Sequence, residues 1–202
     1  TEPRFLDQTL FGALAEQAAA SPRQRQHHNF HQMNESCHRM AVGLQPHTYI
    51  PPHRHLSADK AEALLVLKGR LGLLIFNDAG EVLDKRVLEA GGTCVGVDLP
   101  PGVFHALVVL EADSILFECK AGPYKPVGEG EQASWAPREG ESGVAEYQAW
   151  MRAQFIYPGL PSAHGRFPIC LRYEPTQRLF PRLDQVAHIG QLPFNAHYSR
   201  AA

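Results

Sequence analysis

The sequence predicts a mainly β fold, an antiparallel sandwich or barrel, from three features of the chain between His38 and Gly122. Apolar runs of strand length follow one another there, each run ends at a turn signal of Gly, Pro or Asp, and no helical period separates them. Many short strands in close succession are typical of β-sandwiches and barrels. The predicted strands are residues 38–44, 63–68, 70–77, 82–88, 93–98, 106–110 and 114–120.

Helical patterns flank this region. Apolar residues recur at helical spacing over residues 5–20 and stop at Ser21-Pro22, which predicts one amphipathic helix. The polar segment 23–35 has no period of either kind and is interpreted as a loop or an edge strand. A stretch rich in Gly, Pro and Glu leads to a second short helix over residues 144–155.

The last part of the chain is punctuated by proline. Six prolines after residue 156 exclude a long helix or a central strand, so this part is interpreted as an arm, with room for one edge strand near residues 169–173. The predicted organisation is an N-terminal helix and connection (1–35), a β-barrel (36–124), and a C-terminal helix and arm packed on the same domain (125–202).

Composition narrows the classes of function. A net charge of -2 without a basic run gives no footprint for nucleic acid. The longest apolar runs, such as Leu71 to Phe76, are too short to span a bilayer, and the N-terminus does not look like a signal peptide. Four widely spaced cysteines form no CxxC pair, which favours free thiols in a reducing cytoplasm.

A group of histidines and one glutamate carries the chemistry. His53 and His55 are two residues apart, so on a β-strand both imidazoles leave the same face. Glu62 opens the next apolar run, and a hairpin would fold it back over the pair. His105 follows the tight turn Pro100-Pro101-Gly102 and begins another strand. Three imidazoles and a carboxylate suit one divalent first-row ion, such as zinc, iron(II), nickel, copper or manganese, better than calcium or magnesium.

These residues resemble the two sequence motifs of the cupin superfamily. In the first, His53-x-His55 is followed by Glu62 and, after six residues, by Gly69. In the second, Pro100-x-Gly102-x-x-His105 matches PxG, two residues and a His. The resemblance implies a cupin double-stranded β-helix, a jelly-roll-like barrel, with the metal inside.

The match has three departures. His47 replaces an expected Gly, Val109 replaces an expected Asn, and the gap between His55 and Glu62 is longer than usual. Asp59 lies at the usual distance behind His55 and is an alternative ligand. Glu62 is preferred because its spacing to Gly69 places it at a strand start, whereas Asp59 lies in a polar turn.

A narrower resemblance is to the WbuC family of cupin-fold metalloproteins, commonly encoded beside enzymes of surface-polysaccharide (O-antigen) synthesis. It is spread over rather more than half of the chain, whereas the stretch from about residue 156 matches no pattern of the family. The segments that carry it are Ala19-Ala20-Ser21-Pro22-Arg23, Asn29-Phe30-His31, Pro51-Pro52-His53-Arg54-His55, Asp59-Lys60-x-Glu62, Pro100-Pro101-Gly102-x-x-His105, Leu116-Phe117-Glu118-x-Lys120-x-Gly122-Pro123-Tyr124 and Trp135-Ala136-Pro137.

Further residues are candidates for roles beside the metal. Glu118 and Lys120 share one strand face and would form an acid/base pair near the ion if that face is interior; the alternative is an exposed ion pair. Tyr49 has the parity of the ligand histidines and could hydrogen-bond a substrate. His31 is a candidate for a secondary role.

The leading hypothesis is a metal-dependent enzyme, an isomerase, epimerase or dioxygenase, acting on a small polar substrate such as a sugar or sugar nucleotide. The main alternative is a non-enzymatic sugar- or metal-binding module of the same pathway. A third is a structural protein whose barrel has lost its metal. Exchange of edge strands or arms predicts a homodimer.

Overall fold

The computed structural model describes residues 2–156, which form two helices and eight strands. The predicted arm beyond residue 156, with its edge strand near residues 169–173, lies outside the described residues. The elements are α1 (Gln8–Ala20), β1 (Arg25–Asn29), β2 (Cys37–Leu44), β3 (Glu62–Lys68), β4 (Arg70–Phe76), β5 (Val82–Glu89), β6 (Gly96–Leu99), β7 (Phe104–Val109), β8 (Ser114–Ala121) and α2 (Val144–Ile156).

Helix α1 begins at Gln8, three residues later than its apolar pattern suggests. Asp7 has extended backbone angles, and its side chain accepts a hydrogen bond from the Leu10 backbone N–H at 2.9 Å, so it caps the helix. Phe5 and Leu6, which the pattern included, are exposed. The helix packs its buried residues Phe11 and Leu14 on the outer face of the sheet that contains β2 and β8.

The strands form two antiparallel sheets. The larger has the order β1-β2-β8-β3-β6, and the smaller has the order β5-β4-β7. Four of the six neighbouring pairs, β2-β8, β8-β3, β3-β6 and β4-β7, are not consecutive in sequence, as in a jelly roll, and the predicted cupin double-stranded β-helix is confirmed. Within residues 2–156 no continuous ladder closes the two sheets into one barrel.

The space between the sheets, called the interior below, is filled largely by apolar side chains from both. Alternate residues of β3 and β8 point into it from one sheet, and alternate residues of β4 and β7 from the other. The buried members of this core are Met40, Val42, Leu44, Leu64, Val66, Leu71, Leu73, Leu88, Leu99, Leu107, Val109 and Leu116.

Strand β1 resolves the alternatives left open for the polar segment. Residues 25–29 form an edge strand paired with β2, with His27 opposite Val42. The large sheet therefore begins inside the segment 1–35 that was predicted as a connection. Val42 belongs to the interior core, so the register places His27 on the interior face.

A second core lies on the outer face of the small sheet, beneath α2. Its buried members include Phe76, Tyr147 and Met151. Gly72 of β4 permits this packing, since a Cβ there would lie 2.4 Å from the ring of Phe155. Helix α2 therefore lies directly on the backbone of β4.

An ionic contact fastens the segment before α2 to the edge strand. Glu139 accepts hydrogen bonds from Arg23 at 2.7 Å and from the buried Arg25 at 2.8 Å. The hydrogen bond from Arg23, with that from Arg25, lowers the pKa of Glu139 to about 2. The segment before α2 is thus held against β1.

Between residues 2 and 156, neither helix has the length and apolar character needed to cross a membrane.

Candidate metal centre

The segment that carries His53 and His55 is not a regular strand. Residues 51–56 belong to neither sheet, and His53 alone forms isolated bridges, to His105 and to Gln132. The backbones of His53 and His105 exchange two hydrogen bonds, with N–O distances of 3.0 and 2.9 Å. This bridge sets the two imidazoles side by side, with ring centroids 4.5 Å apart.

Glu62 lies at the centre of the group. It is the first residue of β3, as predicted, and its side chain is only 4% exposed. One carboxylate oxygen lies 2.9 Å from Nε2 of His55, and the other lies 3.2 Å from Nε2 of His105. Both imidazoles therefore direct the same type of nitrogen at one carboxylate.

Two of the imidazoles are oriented by backbone carbonyls. Nδ1 of His53 lies 3.0 Å from the carbonyl oxygen of Pro51, and Nδ1 of His105 lies 3.0 Å from that of Val103. In neutral His53, an Nδ1–H that donates to Pro51 leaves the Nε2 lone pair free, which is the state that a metal ligand requires.

The ligand atoms are close enough to share one ion. Those of His53, His55 and Glu62 all lie within 4.8 Å of one another and could hold a metal. His105 was predicted as a fourth ligand; it touches Glu62 but lies outside this mutually close group. Nitrogen donors with one carboxylate fit a divalent transition ion, so the residues present match the group that the motifs imply.

The protonation states favour ligation as well. Burial lowers the pKa of His53 to about 3, so this imidazole is neutral at physiological pH. Burial alone would raise the pKa of Glu62, but hydrogen bonds with His105 and His55 and the charge of Lys120 hold it well below its usual range. The centre thus presents a neutral imidazole and an ionised carboxylate.

Asp59, the alternative carboxylate, is placed elsewhere. Its side chain is exposed and accepts a hydrogen bond from the Ser57 hydroxyl at 2.6 Å within a turn. This position matches the turn-forming role that the sequence suggested for it.

Glu118 and Lys120 stand beside the centre on the interior face of β8. Nζ of Lys120 lies 2.8 Å from Glu62 and 2.6 Å from Glu118. The Lys120 side chain is 22% exposed and the Glu118 side chain is 14% exposed, so the alternative of an exposed ion pair does not describe them. Burial raises the pKa of Glu118; it opposes ionisation of Lys120 too, but the two carboxylates outweigh it and raise the Lys120 pKa.

Tyr49 is a correction to the sequence analysis. Its side chain is buried in the second core, and its hydroxyl donates to the carbonyl oxygen of Pro137 at 2.7 Å. The parity argument fails because Pro51 and Pro52 interrupt the strand that it assumed, so residues 49 and 53 do not share a face.

Two further histidines, His27 and His31, lie in β1 and just after it. His31 stacks on His38, with ring centroids 3.9 Å apart, and its Nδ1 lies 2.9 Å from the Arg39 backbone nitrogen. His27 lines the cavity at the centre. The sequence signal for His27 was faint, because β1 is polar and shows no alternation.

A cavity of about 50 Å³ adjoins the cluster. Its polar lining includes His27, His53, Glu62, His105 and Glu118, and its apolar lining comes from the interior core. At roughly 30 Å³ per liquid water, this space holds one or two waters or the leading group of a larger ligand.

Comparisons with known proteins give one match to a family model and several likenesses to solved structures. Residues 6–88 match the family model DUF6016, which is described as a domain of unknown function. No curated protein matches the chain. The chain is similar in structure to KdgF from Halomonas sp., with 19% identity, 52% of this chain and 84% of that chain covered, and a TM-score of 0.41.

Two further structures are similar. An RmlC-like cupin family protein with a double-stranded β-helix fold, from Methanocaldococcus jannaschii, is 16% identical over 49% of this chain and 81% of that chain, with a TM-score of 0.38. An oxalate oxidase in complex with a substrate analogue, glycolate, is 20% identical over 52% of this chain and 54% of that chain, with a TM-score of 0.41. These are likenesses of fold at low identity.

Proposed function

We propose that this cupin holds one divalent first-row transition ion on His53, His55, Glu62 and His105, and that it is an enzyme acting on a small polar molecule. The observation that carries the proposal is the convergence of imidazole nitrogens on the buried carboxylate of Glu62, with Nε2 of His55 and of His105 at 2.9 and 3.2 Å. An imidazole–carboxylate cluster beside a cavity is a typical metal site.

The chemistry would divide between the ion and the chain. A bound divalent ion supplies a Lewis acid for a carbonyl or hydroxyl oxygen. Glu118 and Lys120 lie within hydrogen-bond distance of each other beside it, so a proton can pass between a substrate and this pair. Val42, Leu64 and Leu116 line the rest of the cavity and keep bulk water away from the reacting atoms.

The size of the cavity limits the substrate. About 50 Å³ does not admit a sugar nucleotide, so only the reacting part of a sugar or of another small polar molecule would enter it. Isomerisation, epimerisation and dioxygenation are all compatible with such a site. The WbuC resemblance suggests surface-polysaccharide (O-antigen) synthesis as the pathway. The spacing of the cysteines suggests a cytoplasmic location, and exchange of edge strands or arms suggests a homodimer; all three stay predictions.

The second candidate is a non-enzymatic sugar- or metal-binding module of the same pathway. It is favoured by the tight enclosure of the cluster, since the Glu62 and His105 side chains are only 4% and 5% exposed. Turnover of sugar nucleotides, or oxygen uptake by the iron(II)-loaded protein, would support the enzyme. Binding of unaltered ligand at one per chain would support the module.

Metal content tests the proposal first. The protein purified without chelator should contain about one first-row ion per chain by elemental mass spectrometry, and His53→Ala and His105→Ala should each weaken binding by about 100-fold or more, beyond the loss typical of an outer-shell partner. His47→Ala is the matched control, because His47 is exposed and is not one of the proposed ligands. Equal metal content in all variants would exclude this site.

A further inference from the structure

Of the three histidines proposed as metal ligands, His55 lacks an orienting backbone carbonyl among the described residues. Nδ1 of His53 and Nδ1 of His105 each lie 3.0 Å from a carbonyl oxygen. Within residues 2–156, Nδ1 of His55 makes no hydrogen bond, and the carboxylate that faces it is that of Glu131, with Oε1 at 4.0 Å. The orientation of this ring therefore depends on a different type of partner.

The Glu131 carboxylate is fixed in place through both of its oxygens. Oε1 accepts a hydrogen bond from the Leu56 backbone N–H at 2.9 Å, and Oε2 accepts one from the Gly128 backbone N–H at 2.7 Å. Each carboxylate oxygen can accept about two hydrogen bonds, so Oε1 keeps a lone pair for a further donor. The side chains of His55 and Glu131 are 10% and 15% exposed, so the pair is largely shielded from bulk water.

Backbone contacts also hold Glu131 beside the histidine segment. The Arg54 backbone N–H donates to the carbonyl oxygen of Glu131 at 2.8 Å, and the Arg54 side chain donates to that of Gly130 at 2.9 Å. Because Arg54 and Leu56 flank His55 in sequence, these hydrogen bonds keep Glu131 and the His55 ring at a set separation.

The position of the ring proton links His55 and Glu131 to metal binding. Nε2 of His55 lies 2.9 Å from the ionised carboxylate of Glu62, which can only accept, so Nε2 carries a proton in the metal-free protein. A nitrogen that binds a metal has to give up its proton. The one proton of a neutral, metal-binding His55 would then be on Nδ1, the nitrogen that faces Glu131.

The distance from Nδ1 to Oε1 determines how the carboxylate acts. At 4.0 Å it is longer than a direct N–H···O hydrogen bond, for which the nitrogen and oxygen are about 2.7–3.2 Å apart. A contact of this length acts through a bridging water or through charge, and both favour a proton on Nδ1. Backbone hydrogen bonds from Gly128 and Leu56 are the main causes of the lowered pKa of Glu131, and the charge of His55 adds to the effect.

We propose that Glu131 is a positioning residue of the metal centre, which holds His55 in the tautomer with its proton on Nδ1 and its lone pair on Nε2. The inference rests on the proposed metal site and adds to it a residue that is not itself a ligand. A metal-binding histidine generally donates its other N–H to a carboxylate, a carbonyl oxygen or water, and loss of that partner typically lowers metal affinity by roughly 10- to 100-fold. Glu131 thus serves His55 as the backbone carbonyls serve the other two imidazoles.

A double-mutant cycle with His55 tests this role. The dissociation constant of cobalt(II) is measured by competition with a chelating dye for the wild type, Glu131→Gln, His55→Ala and the double variant. Glu131→Gln should weaken cobalt binding roughly 10- to 100-fold when His55 is present. In the His55→Ala background the same change should weaken it by less than about twofold, because no ring is left to position. Glu129→Gln, at an exposed glutamate of the same segment, is the matched control and should leave cobalt binding unchanged.

A purely structural role of Glu131 predicts a different result. Loss of its hydrogen bonds with Leu56 and Gly128 would weaken cobalt binding equally with and without His55, and equal losses would overturn the inference. A second measurement needs no variant. Nitrogen NMR of the zinc-loaded wild type with labelled histidine should show His55 with its proton on Nδ1, and a proton on Nε2 would also overturn the inference.

Metal loading separates the two proposals. A wild-type protein that binds neither cobalt nor zinc defeats the metal site, and the role of Glu131 with it. A wild-type protein that binds the ion, while Glu131→Gln causes no loss or the same loss in both backgrounds, defeats only the role of Glu131.

Discussion

Two buried regions of the molecule treat polar groups in opposite ways. In the core under α2, the Tyr49 hydroxyl donates to a backbone carbonyl and the surroundings are aromatic and aliphatic. In the interior near Glu62, two carboxylates, a lysine and three imidazoles face one another. The first region needs only apolar burial for its stability. The second gathers charges at a desolvation cost that packing does not require.

This difference teaches where function lies in the chain. A buried ion pair is weak evidence for stability, because hydrophobic residues of similar volume often do as well or better. The Glu62 cluster is therefore better explained by what it binds than by what it stabilises. The comparison predicts that changes in the core under α2 alter stability alone, whereas changes in the interior near Glu62 alter metal binding.

The largest effect is expected for Lys120→Met in the metal-free protein. Removing the ammonium leaves Glu62 and Glu118 facing each other without a cation, which should cost about 3–5 kcal/mol of unfolding free energy. A saturating divalent ion should restore part of this loss, because its positive charge would neutralise the Glu62 carboxylate in place of the lost ammonium. Urea denaturation with chelator measures the loss of unfolding free energy, and urea denaturation with zinc measures its recovery. Lys125→Met is the control. An equal loss with and without zinc would contradict the metal site.

Met151→Ala tests the core under α2, where a change should lower stability and leave metal binding unaltered. Met151 is 1% exposed in the core under α2, and its truncation should cost about 2–5 kcal/mol. The metal content per folded chain should stay at the wild-type value. Leu83→Ala, at a residue that is 65% exposed, should change stability by less than about 0.5 kcal/mol. Loss of metal from folded Met151→Ala would show that the two regions are coupled.

The smallest effect is expected for Glu139→Gln. The Glu139 side chain is 35% exposed, so solvent screening limits its pairs with Arg23 and Arg25 to less than about 1 kcal/mol. Its pKa falls from the ordinary 4.5 to about 2 on folding. The contribution is therefore complete above pH 4.5 and is lost as the pH falls toward 2.

In Glu139→Gln this loss of stability between pH 4.5 and pH 2 should be absent, as denaturation midpoints measured over a pH series would show. Exposed Glu129→Gln, the control, should keep the wild-type slope. A slope unchanged by Glu139→Gln would mean that the two arginines do not stabilise the fold through this carboxylate.

Much of the β fold could be predicted because its strands are short apolar runs between turn residues. The predicted run 63–68 became Glu62–Lys68, and 114–120 became Ser114–Ala121. Strand β1 was left ambiguous, since its residues are polar and an edge strand needs little apolar pattern. Tertiary pairing with β2, which no local period reveals, decides it.

The site was predictable where spacing alone determines position. Glu62 at the start of β3 follows from its distance to Gly69. The regular strand that was expected to carry His53 and His55 is absent, and isolated bridges from His53 to His105 and to Gln132 take its place. The place of His27 at the cavity could not be foreseen, because it depends on the pairing of β1 with β2 and not on the local sequence.

The hydrogen bonds of the histidine segment also set an order of events during synthesis. Arg54 donates from its backbone and from its side chain to the carbonyl oxygens of Glu131 and Gly130, and the Leu56 backbone N–H donates to the Glu131 carboxylate. These acceptors lie 75 or more residues later in the chain. A ribosome that has just translated both histidines has not yet made the residues that hold them, so the centre is completed only after the whole β-sandwich has emerged.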